Sequence, residues 1–344
     1  MPQYPGYRPG YSFKGLFFTV FSLAMTNIAG DNMAVVPLMA TALQNDIYGV
    51  VLAAYFGIGA CLAGISAWIG AIAKDELPQT VEWNGGKPAK DLLAWAILGV
   101  CLPASALTGG FFAGAILADI FGVAHGWGAF WALLIYAFCV RKKNKRLVLS
   151  LNTLSLLTIP LLLAACFPLG QLTGSQTHLP VPVDQWTVIW ALVGYNACGL
   201  RPVLLTEAGA CFHSPWLAVG TAVAAKWLEG AITLFFAYAV VESGAAGLLP
   251  IGQILENHWG MVGRMLFLTS FLTVIFSCMV PAMDVNAHQI KGLTGLRHSH
   301  ALCLALIITL SITFLGLVKL LGMLAIAGLA ATLTMLSIGR KFTR

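Results

Sequence analysis

The sequence predicts an all-α integral membrane protein of about ten transmembrane helices. Of its 344 residues, 59% are hydrophobic and only 9% are charged, whereas a soluble domain carries about 25% charged residues. At about 20 residues for each membrane-spanning helix, the length accommodates roughly ten spans. Two of these spans are interrupted by polar residues and glycine at matching positions, which predicts two five-helix halves.

Apolar segments locate the ten predicted spans. They cover residues 15–42, 48–73, 91–118, 124–140, 146–168, 186–211, 215–241, 260–285, 300–317 and 319–338. Residues 1–14 show no pattern of a cleavable signal peptide, so we expect the first span to be retained. The eight cysteines lie almost entirely in apolar segments without a CxxC spacing, which predicts buried thiols rather than disulfides.

Basic residues predict the orientation of these spans. If the N-terminus is cytoplasmic, 15 of the 19 Lys and Arg residues lie on the inner side, including the cluster at 141–146. The outer connections, near 43–47, 119–123, 169–185 and 242–259, contain none. This asymmetry is the positive-inside pattern. It predicts that residues 1–14 and 339–344 are cytoplasmic tails of a plasma or inner membrane protein.

The first span is interrupted by Thr26-Asn27-Ile28-Ala29-Gly30-Asp31-Asn32. A carboxylate at the centre of a bilayer costs about 2.5–3.5 kcal/mol even on insertion scales. We therefore expect Asp31 to face the protein interior, a water-filled cavity or a bound ion. The alternative is a kinked helix whose amide side chains are satisfied by neighbouring helices.

The sixth span repeats this interruption. Asn196 and Gly199 follow Asn27 and Gly30 at the same offset of 169 residues. A repeat of five spans must cross the membrane in the opposite direction in its second copy, so residues 15–168 and 186–338 form a predicted inverted repeat. Broken spans at matching positions of two halves indicate a midplane binding site in a secondary transporter, although these residue types also recur by chance in glycine-rich spans.

The motifs at these breaks resemble the amino acid–polyamine–organocation superfamily, which has the LeuT fold. Asn27-x-x-Gly30-x-Asn32 followed by Pro37 is similar to the unwound segment of sodium-coupled neurotransmitter-type transporters. The segment from Met33 to Ala42 is similar to a Met-Leu-Ala-Leu-Pro-Leu stretch of the aromatic and hydroxy amino acid permeases. Gly194-Tyr195-Asn196 with Pro202 is similar to their Gly-Phe-His…Pro segment.

The resemblance implies that spans one, three, six, eight and ten surround the substrate. The exposed backbone groups of an unwound helix suit a carboxylate at one end and a cation at the other. The candidate substrate-binding residues are Asn27, Gly30, Asp31, Asn32, Ser105, Thr108, Tyr195, Asn196, Gly199 and Arg201. Arg201 either binds an anionic group or neutralises Asp31, with extension to the membrane surface as a third possibility. Gly109 and Gly110 leave room for a substrate or a neighbouring helix.

Two further groups are candidates for ion coupling. Ser270, Thr273 and Ser277 share one helical face, where their hydroxyl groups either join carbonyl oxygens around Na⁺ or form interhelical hydrogen bonds. Lys226 and Glu229, together with Asp31, complete the coupling candidates. Lys226 and Glu229 are spaced to form an internal ion pair, and a proton-coupling role is the alternative. None of the seven histidines is assigned a ligand role, and no resident metal or other cofactor is predicted.

The sequence contains no P-loop, GxSxG or HExxH motif, so we expect a protein that is not an enzyme. The preferred interpretation is a secondary transporter for an amino acid or related carboxylate, driven by Na⁺ or H⁺. Its expected partners are a small-molecule substrate and the lipid bilayer, with no nucleic acid. One alternative is a divalent metal-ion transporter with donors at Asp31, Asn32, Met33 and Cys198, and another is a non-transporting sensor or assembly protein.

Overall fold

A computed structural model describes residues 20, 24, 31–73, 77–141, 159–166, 183–197, 209–212 and 214–342. These residues form helices joined by short turns, with no β-strand among them. The segments 25–30 and 198–208, which contain most of the two predicted breaks, lie outside the described residues. The part of each broken span that is described borders the break directly.

The described helices are numbered α1 to α10 in chain order. In the first half, three of these helices contain a π-helical segment. Helix α1 consists of π-helical Asp31–Val35 and α-helical Val36–Leu43; α2 consists of Asp46–Val51, π-helical Leu52–Gly59 and Ala60–Ala73; and α3 consists of Leu77–Ser105, π-helical Ala106–Phe112 and Ala113–Phe121. Helix α4 is His125–Arg141 and α5 is 159–165. In the second half, α6 is Gln185–Ala197, α7 is Pro215–Ser243, α8 is Pro250–Thr294, α9 is His298–Thr313 and α10 is Leu317–Phe342.

Five of the described helices are long and apolar enough to cross a membrane. They are Asp46–Ala73, Gly86–Phe121, Pro215–Ser243, Pro250–Thr294 and Leu317–Ile338. Two shorter apolar helices, Asn32–Leu43 and His298–Thr313, overlap the predicted first and ninth spans. The protein is therefore an integral membrane protein, and a described helix overlaps each predicted span.

Glycine interrupts α3 and α8 near the start of the predicted third and eighth spans. Gly86 has φ 71° and Gly260 has φ 58°, a region of backbone conformation that L-residues with a side chain rarely adopt. In each case a short helical segment precedes the glycine and the membrane-spanning helix follows it. The third helix of each half thus enters the membrane in the same manner, as two equivalent halves require.

Small residues bring the helices close together. A Cβ atom at Gly114 of α3 would lie 2.7 Å from the Cα atom of Ala129 in α4, and Gly194 of α6 faces Gly328 of α10 with similarly little space. Small residues at helix crossings are typical of membrane proteins, because close backbone approach provides the packing energy that lipid does not. Large apolar side chains such as Trp95 and Ile326 are instead exposed on the outside, where lipid covers them.

Candidate functional site

Asn32 lies in the π-helical first turn of α1, directly after the first break. Its side chain is completely buried. The Nδ2 atom donates hydrogen bonds to the hydroxyl oxygen of Tyr55 in α2, at 3.3 Å, and to Oγ1 of Thr233 in α7, at 2.5 Å. Because unsatisfied amides are costly in an apolar interior, these bonds fix the start of α1 against two neighbouring helices.

A buried ion pair lies on the same face of α7. Lys226 Nζ is 3.0 Å from Glu229 Oε2, and the two side chains are 4% and 0% exposed. The ammonium group also lies 4.5 Å from the centroid of the Tyr55 ring, within the range of a cation–π interaction. The structure thus forms the internal ion pair that the spacing of Lys226 and Glu229 predicts.

The two sets of contacts join into one network. Thr233 Oγ1, which accepts a hydrogen bond from Asn32, donates one to the backbone carbonyl of Glu229 at 2.8 Å. Tyr55 contacts Asn32 through its hydroxyl group and Lys226 through its ring. We call Asn32, Tyr55, Lys226, Glu229 and Thr233 the α7 polar cluster. It places a cation and a carboxylate in a helix long and apolar enough to cross a membrane, next to the first break. Charged side chains within membrane spans are usually functional.

A second buried contact joins α3 to α6. Thr108 lies in the π-helical segment of α3, and its Oγ1 atom is 2.6 Å from the hydroxyl oxygen of Tyr195. Tyr195 lies one turn before the second break, near the C-terminal end of α6. The structure therefore brings together two predicted substrate-binding residues that are 87 positions apart in the chain.

Ser105 makes a different contact. Its Oγ atom accepts a hydrogen bond of 3.3 Å from Nδ2 of Asn286 in α8. Both side chains are fully buried, and Oδ1 of Asn286 has no hydrogen-bond partner among the described residues. Sequence analysis missed Asn286, although an amide just beyond the apolar part of a predicted span is a signal that could have identified it.

The predicted hydroxyl face of α8 is only partly defined. Thr273 Oγ1 donates to the backbone carbonyl of Thr269 at 2.7 Å, so its hydrogen is already used within the helix. Ser270 is fully buried, and its Oγ atom lacks a hydrogen-bond partner within the described part of the chain. The side chain of Ser277 is not described. Ser270 is the member of this face that best fits a polar ligand.

Several other predicted residues fall in or beside the segments that are not described. Asn27, Gly30, Gly199, Arg201 and Cys198 lie outside the described residues, and Asp31 and Asn196 are described only in their backbone. For Gly109 and Gly110 the structure identifies helix packing as the reason for small residues. A Cβ atom at Gly109 would lie 3.0 Å from the sulfur of Met279 in α8, and one at Gly110 would lie 3.0 Å from Cβ of Thr313 in α9.

Comparison with known proteins identifies the architecture. No family model matches the chain, and no curated protein matches it. Among solved structures, the chain is similar to MhsT in complex with L-phenylalanine, with 16% identity and a TM-score of 0.54 over 97% of this chain and 88% of that one. The chain therefore has the LeuT fold, with two inverted five-helix repeats, which confirms the predicted fold class.

The same comparison bears on the predicted class of protein. The LeuT-fold protein that it identifies is a transporter and not an enzyme. At 16% identity, closeness to the aromatic and hydroxy amino acid permeases stays a prediction.

Proposed function

We propose that this protein is a secondary transporter that moves an amino acid or a related carboxylate by alternating access, coupled to Na⁺ or H⁺. The observation that carries the proposal is the combination of the LeuT fold with buried polar groups beside both predicted breaks. In transporters with broken helices, substrate and ion sites lie at the breaks near the bilayer midplane. The solved structure of MhsT, with L-phenylalanine bound, supports an amino acid as the class of substrate.

The proposed substrate site lies between the first and sixth spans. Asn32 and Tyr195, which are buried next to the two breaks, would border it, and Thr108 would orient the hydroxyl group of Tyr195. The backbone groups at Gly30 and Gly199 would bind the carboxylate and the amine of an amino acid, since unwound helix ends present both donors and acceptors. Asn27, Asp31, Asn196 and Arg201 complete the proposed set.

Two routes to ion coupling are proposed, and they use different residues. In the first, Ser270, Thr273 and Ser277 supply hydroxyl oxygens to Na⁺, a hard cation that prefers oxygen ligands. In the second, the buried pair of Lys226 and Glu229 exchanges a proton during transport, because a buried lysine can change its charge state when its surroundings change. Dependence on Na⁺ favours the first route, and dependence on H⁺ the second.

Ligand-dependent thermal stabilisation tests the proposal directly. The purified protein in detergent is screened against amino acids, other carboxylates, nucleobases and divalent metals, each in Na⁺ and in K⁺ buffer. A ligand at 100 times its Kd stabilises the native state by about 2.7 kcal/mol. An amino acid that stabilises the protein supports the proposal. Stabilisation by Mn²⁺ or Fe²⁺ alone contradicts it in favour of a metal-ion transporter if Asp31→Asn abolishes that stabilisation.

A pair of tyrosine variants shows whether such a ligand occupies the proposed site. Tyr195→Phe removes the hydroxyl group that contacts Thr108, and we expect it to weaken binding of the stabilising ligand. Tyr238→Phe is the matched control, because Tyr238 is exposed on the outer surface of α7. Equal affinity in wild type and Tyr195→Phe would remove Tyr195 from the site.

A further inference from the structure

Three polar side chains come together where α8 is followed by α9. Asp284 and His288 lie one turn apart near the end of α8, and His298 is the first residue of α9. Their potential ligand atoms all lie within 4.8 Å of one another. In the described part of the chain, this is the one group of three histidine, cysteine or acidic side chains with such a spacing.

The distances match those of a metal site. Asp284 Oδ1 lies 3.3 Å from Nδ1 of His288 and 3.4 Å from Nε2 of His298. Ligand atoms around a tetrahedral Zn²⁺ ion, at bond lengths of about 2.0–2.2 Å, are about 3.3–3.6 Å apart. The two imidazole rings also lie side by side, with centroids 4.7 Å apart. Both nitrogen atoms and the carboxylate oxygen can therefore face one ion with little movement.

Metal binding is also consistent with the proton balance. An ion on Nδ1 of His288 and Nε2 of His298 takes the lone pair of each nitrogen, so each bound ring is neutral and carries its one proton on the other nitrogen. A doubly protonated ring releases one proton to solvent on binding, and a neutral ring whose proton faces Asp284 changes tautomer. Nδ1 of His288 also lies 2.9 Å from the backbone carbonyl oxygen of Asp284, to which it donates a hydrogen bond when it carries the ring proton. Metal binding replaces this hydrogen bond, with the ring proton on Nε2, and water provides the fourth donor. The side chains of Asp284, His288 and His298 are 47%, 58% and 27% exposed, so an ion can enter from solution.

We propose that Asp284, His288 and His298 form a binding site for a divalent transition-metal ion of the Zn²⁺ class. Two imidazoles and one carboxylate suit Zn²⁺ and similar ions better than Mg²⁺ or Ca²⁺, which prefer all-oxygen sites. The site joins α8 to α9 across the connection at 295–297, on the side of the membrane that the basic residues predict to be cytoplasmic. It lies outside the candidate substrate site and does not depend on the proposed transport function.

Zn²⁺ titration of the purified full-length protein, after treatment with a chelator, tests the site. We expect His288→Ala and His298→Ala to weaken binding of one Zn²⁺ equivalent at least tenfold, and Asp284→Asn to weaken it as well. His300→Ala is the matched control, because His300 is exposed in the same turn of α9 but lies outside the group. The Zn²⁺-dependent rise in Tm should disappear in the first three variants and persist in the control.

Other outcomes would overturn the proposal. If Zn²⁺ binds the three variants as tightly as wild type, the ion binds elsewhere, for example at the exposed thiols of Cys61 and Cys303. If Mg²⁺ or Ca²⁺ competes equally well, the site lacks the proposed chemistry. If an alanine variant has a lower Tm than wild type before metal is added, His288→Gln and His298→Gln replace it in the same titration, since glutamine keeps more of the side-chain volume.

Discussion

At the scale of single residues, the most consequential feature is the charged pair within α7. Removing one member of a buried ion pair is strongly destabilising, because the remaining charge loses its partner in a medium that solvates it poorly. Replacing both members by apolar residues of similar size is often neutral. The pair therefore offers a way to separate a structural role from a coupling role.

We expect Lys226→Met to lower the free energy of unfolding by about 3–5 kcal/mol, because Glu229 keeps its burial without its cation. The double variant Lys226→Met/Glu229→Leu should regain most of this loss. Tm measurements in detergent check both. The control is Lys90→Met, whose partner Glu82 and own side chain are about 40% exposed, so that the change should stay below about 1 kcal/mol.

The double variant then addresses coupling. If it is stable and its transport no longer depends on a pH gradient, Lys226 and Glu229 act in proton coupling. If the double variant is stable and its transport depends on ions as in wild type, the pair is structural. A Lys226→Met variant with the Tm of wild type would contradict the burial argument itself.

At the scale of helices, close packing through glycine limits what can be substituted in α3. Gly114 faces the backbone of Ala129 in α4, so a side chain there requires the two helices to separate. Gly99 lies in the same helix, and a Cβ atom at that position would meet no atom of another described element within 4 Å. The two glycines thus differ in environment while sharing a helix.

Gly114→Ala should therefore destabilise the protein by about 1–3 kcal/mol, the usual cost of excess volume in a packed interface. Gly99→Ala should be neutral or stabilising by up to about 1 kcal/mol, because alanine has the higher helix propensity. Comparing the two Tm values is the measurement. Equal values would indicate that α3 and α4 do not pack as described.

The N-terminus of α6 makes stability depend on pH. Asp184 precedes the helix, and its carboxylate accepts hydrogen bonds from the hydroxyl group of Thr187, at 2.6 Å, and from the backbone N–H of that residue, at 3.0 Å. These bonds hold the pKa of Asp184 below its ordinary value of 3.8. The resulting stabilisation is present above that ordinary value and is lost as the pH falls through the lower pKa of the folded state.

We therefore expect Asp184→Ala to have a lower Tm than wild type at neutral pH, and we expect the two Tm values to converge in acid. Asp184→Asn is the control, because asparagine is an equally good N-cap residue that does not titrate. Its own capping hydrogen bonds do not depend on pH, so the Tm of Asp184→Asn should not fall in acid through loss of the N-cap as that of wild type does. A constant difference between wild type and Asp184→Ala down to the lowest pH reached would contradict this role.

At the scale of the whole molecule, the sequence was sufficient for the fold. The bilayer requires every backbone group to be satisfied within a helix, so apolar length located the spans, and the interruptions predicted the inverted repeat. The predicted spans do not include the helical segments that precede Gly86 in α3 and Gly260 in α8, where these glycines separate an additional helical segment from the spanning helix.

Individual contacts were less accessible from the sequence. Tyr55 and Thr233 join Asn32 across 23 and 201 positions, and such partners depend on which faces of α2 and α7 meet α1. The pairing of Ser105 with Asn286 and the grouping of His288 with His298 have the same cause. The sequence singled out residues that are unusual in a membrane, whereas their partners are ordinary residues until packing brings them together.

Uptake into proteoliposomes tests most directly whether this LeuT-fold protein is the ion-coupled transporter that we propose. The substrate is the amino acid or carboxylate that raises Tm, supplied with an inward Na⁺ or H⁺ gradient or with none. We expect the substrate to accumulate and accumulation to stop when the gradient is collapsed. We also expect Asp31→Asn to abolish accumulation while the protein stays folded. The proposal would be contradicted by a ligand that clearly binds but does not accumulate with the gradient, or by near-normal uptake by Asp31→Asn.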